Sequence, residues 1–319
     1  MASEFDLIKR YFSRHAASAV LGVGDDCALV QAKPGMTLAM TTDMLLEGTH
    51  FRAGSDARRL GHKSLAVNLS DLAAMGADPR WALLSLALPA ADESWLDAFT
   101  AGFYLLAGRY GVELIGGDTT RGPLTVSLTL IGEVPVDLAL RRDGARVGDD
   151  VWVSGATGEA ALALAHLSGR IELAEPFRSR CIERLEAPEP RVDLGGRLRG
   201  LANSAIDVSD GLLADLGHVL EQSGVGAEVS YERIPRAPGI AACSDYALAL
   251  ECVLSGGDDY ELLFTAPPRL RDELQAVAAD IGLALARIGS IVAGKPVAVL
   301  RDAKGNPITV SRPGFDHFR

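Results

Sequence analysis

The chain has 319 residues, 48% of them hydrophobic, so it is long enough for two domains that each bury a core. Lysine and arginine total 31 against 42 acidic residues, a net charge of −11 that argues against nucleic-acid or anionic-membrane partners. No apolar run is long enough to span a bilayer, and the acidic start lacks a signal-peptide core. The four cysteines lack metal-type spacing, so we expect a reduced, cytoplasmic location.

In the first half of the chain, predicted helices and strands alternate. A short amphipathic helix is expected over residues 4–14, with Phe5, Ile8 and Phe12 on one side. The glycine- and acid-rich loop 21–29 follows, and residues 37–43 predict a strand that ends in two hydroxyls and a carboxylate. Beyond a long helix, strands are expected over 80–88, 113–121 and 124–134, with a helix over 94–110 and a turn at Gly116-Gly117.

The long helix starts near Asp56, and its second half carries an unusual acid. Apolar residues recur at helical spacing (Leu65, Leu69, Leu72 and Met75) up to Gly76. Asp71 lies beside this apolar stripe, where a buried carboxylate without a partner would be costly. A metal ion that carries phosphate is the partner that fits best. The alternative is a helix on which Asp71 faces water.

The second half repeats this alternation after a turn-rich boundary at 135–150, so we predict two α/β domains, 1–137 and 138–319. Residues 204–215 read as a strand that ends in acids and leads into a helix. The loop 254–263 places a Gly-Gly-acid turn before another strand. Further strands are expected at 151–154, 284–292 and 297–301, and helices up to 167 and over 269–280.

Most of the notable acids lie at predicted strand ends or in glycine turns, where the loops of an α/β sheet usually form a site. These acids are Asp25, Asp26, Asp43, Asp71, Asp118, Asp207, Asp210, Asp258 and Asp259. So many converging carboxylates would repel one another unless cations neutralised them. Oxygen ligands without a Cys/His cluster favour Mg²⁺, and several Mg²⁺ ions usually carry phosphates. The pattern therefore indicates nucleotide phosphoryl transfer, and the alternative is a set of scattered surface acids.

Two nucleotide motifs are incomplete. Gly22 and Gly24 could begin a dinucleotide fingerprint, but Cys27 stands where the third glycine belongs. Residues 289–296 have the glycine and lysine spacing of a P-loop. Pro296 lacks the hydroxyl that would bind Mg²⁺, and the segment lies between two predicted strands rather than before a helix. The first motif is therefore only a weak indication of a dinucleotide site, and we reject the second as a nucleotide site.

Seven segments, in this order along the whole chain, resemble motifs of the bacterial thiamine-monophosphate kinase family. They are LGVGDDCALV, TTDMLLEGTHF, NLSDLAAMGADP, LIGGDTTRGPL, NSAIDVSDGLLADLGH, SGGDDYELLFT and GFDHF. The resemblance implies phosphorylation of thiamine monophosphate by ATP to give thiamine diphosphate. It also implies the two-domain α/β PurM-like fold shared with aminoimidazole-ribonucleotide synthetase and selenophosphate synthetase. In that fold the amino-terminal domains of two subunits pair in a homodimer.

The resemblance also assigns roles to residues. It implies several Mg²⁺ ions, with Asp71 shared among them, and the residues that resemble metal ligands are Asp26, Thr41, Thr42, Asp43, Asp71, Asp118, Asp207 and Asp210. The ATP site would involve Gly117, Asp118, Arg142 and Ser209, and the thiamine-monophosphate site His50, Asp258 and Phe315. Asp71, Asp43 and Arg142 would carry catalysis, since an arginine beside transferring phosphates stabilises their charge.

One position departs from the family, and two other functions stay open. The family usually has glutamate where this chain has Asp258, so the carboxylate is one methylene shorter. The first alternative is another ATP-dependent synthetase of the same fold. Selenophosphate synthetase would need a reactive cysteine or selenocysteine near the amino terminus, and the first 26 residues contain none. The second is a non-catalytic regulator that binds metal and nucleotide.

Overall fold

Two sheets organise the chain, one in each of two units of the computed structural model, which describes residues 3–310 and 314–315. Unit 1 is Met1–Leu72 with Ala77–Asp137, and unit 2 is Ala73–Gly76 with Leu138–Arg319. Both units mix helices with strands, as the sequence predicts for an α/β protein. Within the described residues, no helix is both long and apolar enough to cross a membrane.

Unit 1 is built on a four-stranded sheet with the order β1-β4-β2-β3. Its elements are α1 (Glu4–Leu7), a π-helical turn (Ile8–Phe12), β1 (Met36–Leu46), α2 (Ala57–Ala74), β2 (Asp78–Leu88), α3 (Glu93–Tyr110), β3 (Glu113–Arg121) and β4 (Thr125–Pro135). β4 pairs antiparallel with β1 and β2, whereas β2 and β3 are parallel. β1 and β3 come first and last in this order, so they form the two opposite edges of the sheet.

The predicted long helix is α2, and its apolar stripe faces the core of unit 1. The helix begins at Ala57, next to the predicted start near Asp56, and the Asp56 carboxylate accepts the backbone N–H of Arg59 at 2.9 Å as a helix cap does. Leu65 and Leu69 are fully buried, whereas Met75 is 38% exposed and lies beyond the end of the helix.

Two glycines let α2 approach α3 closely. A Cβ atom on Gly61 would lie 2.0 Å from the Phe99 carbonyl oxygen, and one on Gly102 would lie 1.8 Å from that of Arg58. Any larger residue at either position would separate the two helices. This crossing fixes α2, which carries Asp71, within unit 1.

Three local expectations for unit 1 were wrong. The first helix is present as α1 and a π-helical turn, but Phe5 is 78% exposed instead of packing beside the buried Phe12. β1 continues to Leu46, so Asp43 lies inside the strand rather than at its end. The expected turn at 116–117 is part of β3, because pairing with β2 carries the strand through both glycines.

Unit 2 is built on a six-stranded sheet with the order β10-β7-β9-β5-β8-β6. Its strands are β5 (Asp150–Ser154), β6 (Ser204–Asp207), β7 (Gly226–Ser230), β8 (Leu262–Ala266), β9 (Leu285–Val292) and β10 (Ala298–Arg301). Its helices are α4 (Glu159–Leu167), α5 (Phe177–Glu186), α6 (Val192–Leu198), α7 (Leu212–Ser223), α8 (Pro238–Ala241), α9 (Tyr246–Ser255) and α10 (Arg271–Ile281). β7, α8 and α9 were not expected from the sequence.

The core of unit 2 lies where α4, α7 and α9 contact the sheet. Val151 and Val153 of β5 are fully buried against Leu216 and Val253 from two of these helices. Consecutive residues of β5 and β8 are buried on both faces of the sheet. Central strands of this kind read as continuous apolar runs rather than alternating patterns, which is how the sequence signals them.

Candidate functional site

In unit 1, a strand and a helix bring three of the predicted metal ligands together. Thr41 and Asp43 are two residues apart on β1, so their side chains share one face of the sheet. The Thr41 hydroxyl donates a hydrogen bond to the Asp71 carboxylate on α2. Burial, with the neighbouring charge of Asp71, raises the pKa of Asp43 to about 7. The half-buried carboxylates repel each other, and a cation would remove that cost.

The neighbouring threonine lies on the opposite face of β1. The Thr42 hydroxyl donates to the Leu128 carbonyl oxygen at 3.2 Å and accepts a hydrogen bond from the Thr129 hydroxyl at 3.0 Å. Strand alternation therefore directs the two adjacent threonine side chains to different faces of the sheet. As ligands, their hydroxyls would serve different ions.

Asp118 belongs to the other edge of the same sheet. It pairs with Ser85 of β2, which pairs with Ser127 of β4, which in turn pairs with Met44 of β1. Three strand spacings of about 4.8 Å place Asp118 about 14 Å across the sheet from β1. Its side chain is exposed. Within one copy of unit 1, the sheet therefore holds Asp118 and Asp43 apart.

Gly117, next to Asp118, is a predicted ATP contact whose identity has a packing reason. A Cβ atom at this position would lie 1.8 Å from the Leu84 carbonyl oxygen, and the backbone has a φ of 147°. Only glycine fits so close to β2 with this conformation. The residue type is explained by the sheet alone, so it is compatible with a nucleotide contact through the backbone but does not require one.

The other predicted residues of unit 1 lie in loops. Asp26 is exposed, and its backbone N–H donates to the Asp25 carboxylate at 3.0 Å. The Nδ1 atom of His50 accepts the backbone N–H of Leu46 at 3.0 Å. A neutral imidazole in this arrangement carries its proton on Nε2, so His50 presents a donor at that atom.

A cavity of about 420 Å³ lies beside the loop that carries His50. Its lining includes the aromatic side chains of Phe51 and Trp95, the acids Glu47 and Asp92, and Arg52. Aromatic faces with nearby carboxylates suit a cationic aromatic ligand, and an arginine suits an anionic group on it. The cavity was not anticipated from the sequence, because its lining comes from three separate segments of unit 1.

In unit 2, the predicted metal ligand Asp207 ends β6, and Asp210 lies in the loop between β6 and α7. Asp207 is buried at the end of β6, and Asp210 is half-buried. The carboxylate of Asp215 accepts the backbone N–H groups of Ser209, Asp210 and Gly211, each at 3.1 Å. Burial, with a contribution from the Asp210 charge, raises the pKa of Asp215 to about 7, although the three N–H groups oppose the shift.

Two predicted substrate residues are attached to this same loop. The N–H of Asp258 donates to the Ser209 carbonyl oxygen at 2.9 Å, and the N–H of Phe315 donates to that of Asp210 at 2.9 Å. The Tyr260 hydroxyl donates to the Asp258 carboxylate at 2.8 Å. Phe315 is 56% exposed, while the rest of the closing motif, 316–318, lies outside the described residues.

Arg142, by contrast, lies in an exposed turn. It opens a 3-10 turn (Arg142–Gly144), and its carbonyl oxygen accepts a hydrogen bond from the Ser223 hydroxyl at 2.8 Å. This hydrogen bond joins the backbone of Arg142 to α7, and the residue as a whole is exposed to solvent. The neighbouring Arg141 and Asp143 form an ion pair at 2.6 Å.

Sequence reasoning missed a buried ion pair in the SGGDDYELL motif. Glu261 binds the guanidinium of Arg191 through two hydrogen bonds, one of them 2.7 Å long, and accepts a third from the Ser154 hydroxyl. A Cβ atom on Gly155 would lie 2.1 Å from this carboxylate. Asp259, the acid that follows Asp258, accepts the Gly158 N–H at the start of α4. These acids hold the loop in place, a role that their spacing in the sequence does not signal.

Comparison with known proteins identifies the family. Residues 24–134 match the family AIR synthase related protein, N-terminal domain, and residues 146–301 match AIR synthase related protein, C-terminal domain. The chain is 44% identical over 320 residues to thiamine-monophosphate kinase of Salmonella typhimurium, covering 99% of this chain and 98% of that one. The chain belongs to the thiamine-monophosphate kinase family.

Solved structures agree with this family. Thiamine-monophosphate kinase from Stenotrophomonas maltophilia is 44% identical, with a TM-score of 0.86 over 95% of each chain. A structure of AaThiL complexed with AMPPCP and TMP is 33% identical, with a TM-score of 0.79 over 98% of this chain and 96% of that one. The resemblance inferred from the seven motifs and the predicted PurM-like α/β fold are both confirmed.

Proposed function

We propose that this chain transfers the terminal phosphoryl group of ATP to thiamine monophosphate and so forms thiamine diphosphate. The observation that carries the proposal is 44% identity to a thiamine-monophosphate kinase along essentially the whole chain. A relative of the same fold has been solved with AMPPCP and TMP, an ATP analogue and the proposed acceptor. The proposed location is the cytoplasm, where ATP is available.

The proposed metal is Mg²⁺, bound as several ions by carboxylates and hydroxyls. Within residues 3–310 and 314–315, no three His, Cys, Asp or Glu side chains form a ready-made metal site. An ion bound by Asp43 and Asp71 would therefore take further oxygens from Thr41, phosphate and water, as Mg²⁺ commonly does. The other proposed ligands are Asp26, Thr42, Asp118, Asp207 and Asp210. Bound Mg²⁺ would neutralise the charge of the transferring phosphates.

The proposed substrate contacts follow from chemistry as well as from the family. Backbone groups at Gly117 and the side chains of Ser209 and Arg142 would contact ATP. His50, Asp258 and Phe315 would contact thiamine monophosphate, whose thiazolium ring is cationic. The cavity beside His50, with its aromatic and acidic lining, supports a site for such a ring.

We further propose direct transfer without a phosphoenzyme. The acceptor is an anionic phosphate oxygen at neutral pH, so it needs no strong general base. The protein then has to hold two anions in line while Asp71 and Asp43 bind the metal and Arg142 stabilises the developing charge. The protein should stay unlabelled when it is incubated with γ-labelled ATP and Mg²⁺ without acceptor.

A homodimer is proposed from the exposed face of the unit 1 sheet. On β1, Met40 and Met44 are 63% and 54% exposed, which leaves an apolar row open to water. The distance between β1 and Asp118 within one sheet gives a second reason, since a second copy could supply the ligand that one copy holds away. Light scattering that yields a mass of 33.6 kDa, that of a single chain, at micromolar concentration would contradict the dimer.

The function is tested by incubating the purified protein with Mg²⁺-ATP and thiamine monophosphate and identifying the product by chromatography. Asp71→Asn should reduce turnover by about a hundred- to a thousandfold, because an amide cannot supply the charge that stabilises the transition state. Asp56→Asn, on the same helix, is the control, since asparagine caps a helix as well as aspartate does. Near-normal turnover by folded Asp71→Asn would refute the metal assignment. Binding of Mg²⁺-ATP without turnover would favour the regulator.

A further inference from the structure

The loop between β6 and α7, residues 208–211, is held from one side by a single carboxylate oxygen. Oδ2 of Asp215 accepts the N–H groups of Ser209, Asp210 and Gly211, and each of these hydrogen bonds is 3.1 Å long. Asp215 is only 2% exposed. Three consecutive N–H groups that point at one anion fix the peptide planes of the loop, since a buried N–H without a partner is costly.

The carbonyl groups of the same loop hold Asp258 and Phe315, which are proposed to contact thiamine monophosphate, and also Tyr260. The carbonyl oxygens of Val208, Ser209 and Asp210 accept N–H groups from Tyr260, Asp258 and Phe315, respectively, at 2.8, 2.9 and 2.9 Å. The N–H groups of the loop therefore bind Asp215, and its carbonyl oxygens bind the backbone of the segments that carry Asp258 and Phe315. It also carries Asp210 and Ser209, proposed contacts of metal and ATP.

Packing leaves the loop little room to move independently of these neighbours. A Cβ atom on Gly257 would lie 2.3 Å from the Ser209 carbonyl oxygen, and one on Gly314 would lie 2.7 Å from that of Asp210. The backbone of the two segments that carry Asp258 and Phe315 thus lies directly against the loop. A displacement of the loop would be transmitted to Asp258 and Phe315, because close-packed atoms cannot absorb it.

On the basis of the proposed function, we propose that Asp215 is a positioning residue that couples metal–nucleotide binding to acceptor binding through the 208–211 loop. With the loop ordered by Asp215, an ion and nucleotide that bind Asp210 and Ser209 stabilise the same peptide planes that hold Asp258 and Phe315. Two ligands that favour one conformation of a shared segment bind cooperatively, and each raises the affinity for the other by the same factor.

The test is calorimetric titration of the full-length protein with thiamine monophosphate, with and without saturating Mg²⁺ and AMPPCP. In the wild type, the nucleotide should tighten acceptor binding by about fivefold or more, the lower range of measured couplings between sites. Asp215→Asn, which keeps the shape but removes the charge, should bring this factor close to one. It should also raise the KM for thiamine monophosphate and the Mg²⁺ concentration for half-maximal AMPPCP binding.

Asp149→Asn is the matched control. Asp149 is 3% exposed in the same unit and accepts hydrogen bonds from the Arg146 N–H at 2.9 Å and from the Asn203 side chain. Its variant should lose stability but keep the coupling factor of the wild type. Equal loss of coupling in both variants would mean that Asp215 acts only on stability, which would overturn the proposal.

The remaining outcomes separate the positioning role from the function itself. Wild-type protein that makes no thiamine diphosphate refutes the proposed function, and the Mg²⁺ dependence of AMPPCP binding then still tests Asp215. Active wild-type protein whose coupling is absent, or is unchanged in Asp215→Asn, overturns the positioning role alone. Should Asp215→Asn not fold, Asp215→Glu keeps the charge but shifts it by one methylene and should fold with reduced coupling. Full coupling in that variant would also overturn the proposal.

Discussion

Replacing Glu261 by glutamine should destabilise unit 2 more than any exposed substitution of the same kind. Glu261 is 4% exposed and its partner Arg191 is 12% exposed, so water can replace little of the lost interaction. The glutamine oxygen would still accept one guanidinium N–H, but its NH₂ group would face the second donor, and the negative charge opposite Arg191 would be lost. Removing one partner of a buried ion pair lowers the free energy of unfolding by about 3–5 kcal/mol. We expect the lower end of this range, because Arg191 retains some access to water.

Urea unfolding followed by circular dichroism measures this cost. With a slope of about 1–3 kcal/mol per molar urea, a loss of about 3 kcal/mol should lower the midpoint by roughly 1–3 M. Glu251→Gln is the control, because Glu251 binds Arg170 in a similar two-bond geometry with both side chains more than half exposed. That variant should cost about 1 kcal/mol or less.

Equal midpoints for Glu261→Gln and Glu251→Gln would refute the argument that burial makes the Arg191 pair costly to break. A double variant sharpens the test. Replacing both Arg191 and Glu261 by methionine removes the charges together, and such exchanges are often neutral or stabilising. The double variant should therefore be more stable than Glu261→Gln, although the Ser154 hydroxyl loses its acceptor.

Three further predictions concern single residues. Phe315→Ala should raise the KM for thiamine monophosphate several-fold, since ring stacking contributes about 1 kcal/mol; steady-state kinetics would contradict this if the KM for ATP rose instead. Asp258→Glu, which restores the usual family residue, should remain active in the same assay, and loss of turnover would show that the site requires the shorter acid. Asp150→Asn should lower the free energy of unfolding by about 1–3 kcal/mol at pH 7. Burial opposes ionisation of Asp150, but hydrogen bonds from Arg271 and Arg287 outweigh it and hold its pKa below the usual 3.8. The unfolded chain therefore takes up this proton first as the pH falls. The difference between variant and wild type should shrink below about pH 4, and an unchanged difference in urea unfolding at pH 3 would contradict the role of the ion pairs.

The sequence by itself determined the class of the protein and much of its local structure. The apolar spacing of residues 65–72 predicts α2 correctly, because this signal arises from the side chains of one helix. Ordered motifs along the chain identified the family, since a whole series is far more specific than one motif. The rejected P-loop at 289–296 likewise lies at the end of β9 rather than before a helix.

Tertiary structure alone decided how these pieces work together. The contact between α2 and β1 brings Asp71 to Thr41, and the sheet order of unit 1 separates Asp118 from β1, which spacing along the chain cannot reveal. Pairing with β2 carried β3 through two glycines that predict a turn, because inter-strand hydrogen bonds outweigh local preference. In the sequence, Asp215 is one residue of a predicted helix. In the structure, its carboxylate accepts three backbone N–H groups of the preceding loop. Such contacts depend on the three-dimensional path of the backbone, and the packing of the whole core stabilises that path.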